Sequence, residues 1–174
     1  MKTLTQIWPN VPADWADIAV PSLVSDSRLV KPGSVFVALA GLHHDARRHV
    51  PAAVAAGASV ILVEAGGDWL THQLLDGVPV LVVPELTQQL GYFAARFYDQ
   101  PAAQMTVMAV TGTNGKTSIA NLIAGAAQQL GRRSAVIGTL GNGFYGELAA
   151  SQFTTPDPLQ LQRLLGEFRV GGAE

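Results

Sequence analysis

No cysteine occurs anywhere in the 174 residues. That excludes disulfides and thiolate-held metal centres, and a thiol-free chain fits the cytosol. Charge is scarce as well. Charged residues make up 14% of the chain, and 11 basic side chains against 13 acidic ones leave a net charge of −2. No basic stripe exists to replace the counterions of a phosphate backbone, so a nucleic-acid partner is not expected. Arg47–Arg48 and Arg132–Arg133 are isolated pairs. Long apolar runs are also missing. The longest, such as Val78–Val83, fall far short of a bilayer's thickness. The opening MKTLTQIWPN carries no apolar stretch of the secretory-leader kind. The expectation is a cytoplasmic protein without a membrane partner.

What the chain has in quantity is apolar side chains, 48% of the total. That is enough for a well-formed core and excludes a mainly disordered state. The length suits one ordinary domain or two small ones. Residues 1–24 show no strong periodicity; Trp8, Val11, Trp15, Ile18 and Val20 read as anchors of a cap over the first core. Ser34–Ala40, Val60–Val63 and Val78–Val83 read as buried strands. The alanine-rich stretch Arg47–Ala56, stopped by Gly57, and the periodic stretch Leu86–Tyr98 read as helices, and the segment around Gly66–Gly67 is expected to leave the sheet. Residues 1–100 thus form a small α/β domain, with 101–104 as a linker and 105–174 as a second unit.

The most informative stretch opens that second unit. An apolar run, Val107–Val110, breaks into Thr111-Gly112-Thr113-Asn114-Gly115-Lys116-Thr117, and a helical pattern follows at once. Strand, glycine loop, lysine–threonine and helix in that order describe a phosphate-binding P-loop. Glycines let main-chain amides approach phosphate oxygens, and the helix N-terminus adds partial positive charge. On this pattern Lys116 reaches the β- and γ-phosphates and the Thr117 hydroxyl ligates Mg²⁺. The usual spacing places a first glycine five residues before the second, where this chain has Val110. The loop is a shortened variant. On pattern alone it also fits a plain glycine turn between strand and helix.

A helix over Thr117–Leu130, a strand over Ser134–Ile137, a glycine-rich loop over Gly138–Pro156 and a helix over Asp157–Phe168 complete the reading. Two strands and two helices are too few for a P-loop sheet covered on both faces. A later strand that would carry a second Mg²⁺-holding carboxylate is also missing. The chain is therefore expected to be the amino-terminal part of a longer enzyme.

Val110–Thr117, V-T-G-T-N-G-K-T, resembles the nucleotide loop of the Mur ligases, ATP-dependent amide-forming enzymes of peptidoglycan assembly. Their loop is shortened in the same way. Asp26-Ser27-Arg28, followed by Pro32-Gly33 and the run Val35–Leu39, is similar to a signature of the members that add the third and the fourth-fifth residues; Gly41, Asp45 and Arg47 continue it. Gly138-Thr139-Leu140-Gly141 followed by Thr154-Thr155-Pro156-Asp157 resembles the third-residue members, the UDP-N-acetylmuramoyl-tripeptide synthetases. Phe153 stands where some members have Asn.

The resemblance implies a uridine-nucleotide domain followed by the first part of the central P-loop domain. It also implies a reaction: ATP phosphorylates the glutamate carboxylate of UDP-N-acetylmuramoyl-L-alanyl-D-glutamate, and the amine of a diamino acid, meso-diaminopimelate or L-lysine, attacks the acyl phosphate. By matched position, Ser25, Ser27, Leu42, His43 and His44 line the uridine diphosphate pocket, and Thr154 and Thr155 bind the muramoyl-peptide part. Gly112, Thr113, Asn114, Gly115, Lys116, Thr117 and Ser118 hold ATP, with Lys116 catalytic and Thr117 the Mg²⁺ ligand. The related D-alanyl-D-alanine-adding ligase and a non-catalytic nucleotide-binding module are the alternatives. His43, His44, Asp45 and His49 suggest a metal site only weakly, because a solvated loop explains them equally well.

Overall fold

The short apolar runs of the first half belong side by side, because a parallel strand covered on both faces has no polar side to show. A computed structural model describes residues 1–41, 45–150 and 155–174, and its chain divides into two units, Met1–Phe97 and Tyr98–Glu174. The first begins with Lys2–Thr3 (β1), Leu4–Ile7 (α1), Ala19–Val20 (β2) and Leu23–Val24 (β3). Val35–Ala38 (β4), Val50–Ala55 (α2), Val60–Glu64 (β5), Gln73–Leu75 (β6), Val78–Val83 (β7) and Leu86–Phe97 (α3) follow. One sheet takes the order β3-β4-β5-β7-β6. Its first four strands are parallel, and β6 is an antiparallel edge.

The register pairs Phe36 with Ile61 and Ile61 with Val80, so these side chains share one face. With Ala38, Val63 and Val82 they pack on Val50 and Ala53 of α2. Alternate residues of the same strands point the other way, toward the face where α3 lies against β5. Each fully buried Phe, Ile or Val contributes about 1.5–3 kcal/mol. Leu4 and Ile7, which periodicity does not pick out, are among the most buried side chains of the unit.

Two expectations for this unit need adjusting. The stretch 46–49 is a 3-10 turn, and the α-helix begins only at Val50. Pro51 has no N–H to give to the carbonyl four residues back, so α-helical bonding cannot extend toward Arg47. The chain beyond Gly66–Gly67 does not simply leave the sheet. It returns as β6, and the two-residue turn Asp76–Gly77, at φ +50° and +80°, leads from β6 into β7. Positive φ at both positions is the hairpin turn whose twist matches its strands.

The second unit holds Lys116–Gln129 (α4), Ala135–Gly138 (β8), Gly141–Phe144 (β9), Glu147–Ala149 (β10) and Pro158–Val170 (α5). β8, β9 and β10 form an antiparallel sheet, so the region expected as a glycine-rich loop is largely a pair of tight hairpins. Glycine is required there for close pairing. A Cβ on Gly141 or Gly143 would sit 2.3 Å from the Ala149 carbonyl oxygen or 2.4 Å from that of Glu147. Phe144 meets Phe168 of α5 edge-on at 5.6 Å and carries the Arg133 guanidinium over its ring at 4.0 Å. The segment 101–104, read as a linker, is a 3-10 turn inside this unit, and Gln104 accepts a bond from Arg169 of α5 at 2.8 Å.

The strand expected over Val107–Val110 is corrected. The segment has no ladder partner among the described residues, and Val107 and Met108 are exposed. It and β8 form walls of one cavity of about 480 Å³. A strand exists only by pairing, and an apolar run cannot by itself supply the neighbour.

One turn tests the first unit. Gly57 ends α2 at φ +91°, its carbonyl accepts the Gly33 amide at 2.9 Å, and a Cβ there would lie 3.2 Å from the Pro32 Cα. Gly57→Ala is expected to lower stability by about 1–2 kcal/mol, read as an earlier midpoint in urea unfolding with an unchanged slope.

Candidate functional site

Helix α4 starts abruptly from its loop because Gly112 and Gly115 take φ values of +143° and +79°, which other residues rarely adopt. The first turn of a helix leaves its amides without internal partners. No amide from Thr113 to Ser118 has a main-chain acceptor among the described residues. Lys116 folds back over the loop, its Nζ donating to the Gly112 carbonyl at 2.5 Å and more weakly to that of Thr113 at 3.5 Å. Thr117 follows as the second residue of the helix, half-buried, and its hydroxyl has no protein partner among the described residues. Orphan amides, one ammonium and one free hydroxyl suit a phosphate chain with a hard cation. Lys116, Thr117 and Thr155 all lie on the walls of the cavity described above, with the apolar face of α4 behind them. Ser118 is exposed.

The first unit offers a second place for a ligand. β3, β4, β5 and β7 run the same way, so their carboxyl ends share one edge, where ligands of open α/β sheets bind. Ser25 leaves β3 there and Ser27 starts a 3-10 turn, both half-buried. Leu42, His43 and His44, expected beside them, lie outside the described residues, as does Thr154. The chain re-enters at Asp45, bridged to Ala40. Among the described residues no group of three His, Cys, Asp or Glu side chains is placed to hold a metal.

Two Asp–Arg pairs of the same spacing flank this edge, and their surroundings differ. Asp26 and Arg28 meet at 2.6 Å, but the Arg28 side chain is 87% exposed. Such a solvent-exposed pair contributes little to stability. Arg47 is only 19% exposed; it holds Asp45 at 2.7 Å and also donates to the Gly66 carbonyl at 3.0 Å. The Arg47 side-chain bonds hold the Asp45 carboxyl down at about 2. The feature that residue patterns miss is Glu64, the last residue of β5. Its carboxylate accepts the Ala40 amide at 2.9 Å, the Thr87 hydroxyl at 2.7 Å and the Thr87 amide at 3.2 Å. Burial pushes its pKa up, and these bonds outweigh that and lower it. The only sequence signal is a carboxylate ending the apolar run V-I-L-V-E.

Known proteins resemble the chain in sequence and fold. Residues 110–174 match the Mur ligase middle domain. A UDP-N-acetylmuramoyl-L-alanyl-D-glutamate–2,6-diaminopimelate ligase of Pseudomonas putida is 44% identical over 157 residues, which are 90% of this chain and 31% of that protein. The chain belongs to the Mur ligase family. A solved structure of a ligase of that same name covers 99% of this Mur ligase chain and 34% of its own, with TM-score 0.76 and 31% identity. The fold extends further. A MurF ligase from Thermotoga maritima, solved in complex with ADP, covers 84% of this chain and 30% of its own at TM-score 0.54 and 21% identity. The Mur ligase chain spans about a third of the length of the curated relatives it matches.

The Asp45–Arg47 clasp gives this Mur ligase chain a defined acid response. A carboxyl lowered from 3.8 to about 2 in the folded state stabilises the fold in full above about pH 4 and loses that contribution as pH falls through 2. Asp45→Asn should therefore be less stable than the parent at pH 7, and the gap should close between pH 4 and 2. Urea midpoints measured across that range check this; a gap independent of pH would remove the ion pair as its cause.

Proposed function

We propose that this chain supplies the uridine-nucleotide module and the phosphate loop of an ATP-dependent ligase. The ligase joins 2,6-diaminopimelate to UDP-N-acetylmuramoyl-L-alanyl-D-glutamate. The observation that carries the reading is the shortened loop at the head of α4, with its orphan amides and folded lysine, in a chain so similar to ligases of that name. The relatives' names favour diaminopimelate over lysine as the diamino acid. Solved structures of the ligase that adds D-alanyl-D-alanine share the fold at 24% identity, which favours no activity.

ATP supplies the phosphoryl group that turns a carboxylate, a poor acyl donor, into an acyl phosphate from which the incoming amine displaces phosphate. The residues of this chain serve that chemistry by holding charge. Amides of Gly112, Thr113, Asn114, Gly115, Lys116, Thr117 and Ser118 donate to phosphate oxygens, and the Lys116 ammonium offsets the charge that builds on transfer. The Thr117 hydroxyl offers an oxygen ligand to Mg²⁺. Ser25 and Ser27, with Leu42, His43 and His44, hold the uridine diphosphate. Thr154 and Thr155 hold the muramoyl-peptide end.

Two measurements test the reading. In the whole ligase, Lys116→Ala should lower turnover by about a hundredfold or more. Because, among the described residues, Lys116 bonds only to carbonyls of its own loop, the melting temperature should stay within about 2 °C of the parent. Unfolding of the variant would make the lysine structural and overturn its assignment. In calorimetry on this chain, a UDP-muramoyl compound should bind more tightly than ATP, because the strands of the first unit's sheet are all paired while the loop's own segment lacks a ladder partner among the described residues. Affinity for ATP with none for uridine nucleotides would overturn the assignment of the first unit.

A further inference from the structure

Glu64 joins three segments that leave the same sheet edge. Its Oε2 accepts from the Ala40 amide, where the chain exits β4, and from the Thr87 hydroxyl in the first turn of α3. Its Oε1 accepts from the Thr87 amide. A carboxylate at a helix N-terminus satisfies donors that the helix itself cannot. Yet Ala40 and Thr87 are both exposed, so water could satisfy either amide. What the carboxylate adds over water is a fixed position.

The second leg of the same excursion is tied to the same strand end. Asp45 is bridged to Ala40, and the Ala46 amide donates to the Leu39 carbonyl at 3.0 Å. Arg47, locked by Asp45, reaches the Gly66 carbonyl two residues past Glu64. The exit and the return of the chain around residues 40–45 are thus both pinned to the end of β5, one by a carboxylate and one by a guanidinium. Glu64 poses an apparent conflict with a diphosphate at this edge, since like charges repel. Three donors converge on its oxygens, so its charge is turned toward the chain's own amides and hydroxyl.

We propose that Glu64 is a positioning residue for the uridine-diphosphate site, holding the exit of β4 and the start of α3 at the spacing the ligand meets. The inference rests on the reading that the first unit binds uridine diphosphate. Glu64 acts through Ala40 and Thr87 and touches no reacting atom.

UDP is the probe, titrated by calorimetry into the chain and into three variants, with thermal unfolding of each recorded in parallel. Glu64→Ala should weaken UDP binding about tenfold or more, the size expected from losing the order that two to three hydrogen bonds impose. Glu64→Gln keeps an oxygen that can replace Oε2 and should stay within about threefold of the parent. Ile61→Val, a buried change in the middle of the same strand, should lower the melting temperature while leaving UDP affinity unchanged. Equal UDP affinity in Glu64→Ala and the parent would overturn the inference and leave the nucleotide reading standing. So would an affinity loss that merely follows the drop in melting temperature, in Ile61→Val as in Glu64→Ala. No UDP binding by the parent chain would overturn the nucleotide reading itself, and the inference with it.

Discussion

Main-chain amides that strands and helices cannot satisfy from within organise both units of this protein. Wherever a strand ends and a helix begins, several N–H groups lose their ladder partners before any helical carbonyl is available. The first unit meets this with a carboxylate, since Glu64 takes the amides of Ala40 and Thr87. The second leaves its amides from Thr113 to Ser118 without a main-chain acceptor among the described residues and sets a lysine and a threonine hydroxyl beside them. One solution fixes the backbone, and the other prepares it for an anion from outside. The choice is made by residue type: a glutamate ends β5, whereas the loop before α4 holds glycine, threonine and asparagine.

That difference follows from how each unit fills its interior. The first has strands read as V-F-V-A, V-I-L-V-E and V-P-V-L-V-V, which bury both faces and align in a parallel sheet with no cross-strand gaps. Its carboxyl edge is therefore a firm platform, and side chains leaving it have set positions. The second builds its sheet from two hairpins in which glycines allow the strands to close tightly. α4 and α5 pack around that sheet, and the segment before the loop lines a cavity. The phosphate loop thus depends on its own glycines and on α4 for its shape more than on a sheet beneath it.

Legibility in the sequence tracks how local the cause is. Strands β4, β5 and β7 and helix α3 are readable because an unbroken apolar run or a 3.6-residue period states them directly. The phosphate loop is readable for the same reason, as its chemistry lies in consecutive residues. The hairpin of β6 and β7 carries its own signal in Asp76–Gly77, a dipeptide that specifies a two-residue turn, but Gly66–Gly67 upstream obscures it by suggesting a departure from the sheet. Leu4 and Ile7 are buried by elements far away in sequence, so no local pattern marks them. Glu64 is hidden for the same reason: its partners lie 24 and 23 residues away. The run Val107–Val110 shows the converse. Its residues are those of a strand, yet a strand is a relation between segments, and composition cannot state whether the other segment is there.

The lysine of the loop illustrates how such a site can be stable without its ligand. The unbonded amides from Thr113 to Ser118, with an ammonium beside them, concentrate partial positive charge at the head of α4. Lys116 relieves part of this by bonding the Gly112 and Thr113 carbonyls, the negative ends of the same peptide groups that form the loop. The ammonium is then partly satisfied and need not stretch into solvent, at a reach where its long chain would lose rotamer freedom only on binding. A phosphate chain that displaces those carbonyls exchanges dipoles for full negative charges at similar distances. The gain on binding is the difference between the two, not the full attraction of ammonium for phosphate. Affinity for the ground-state nucleotide is thereby moderated. The gain is larger for any state in which charge on the phosphate oxygens increases, and that is the direction in which a transfer site must discriminate.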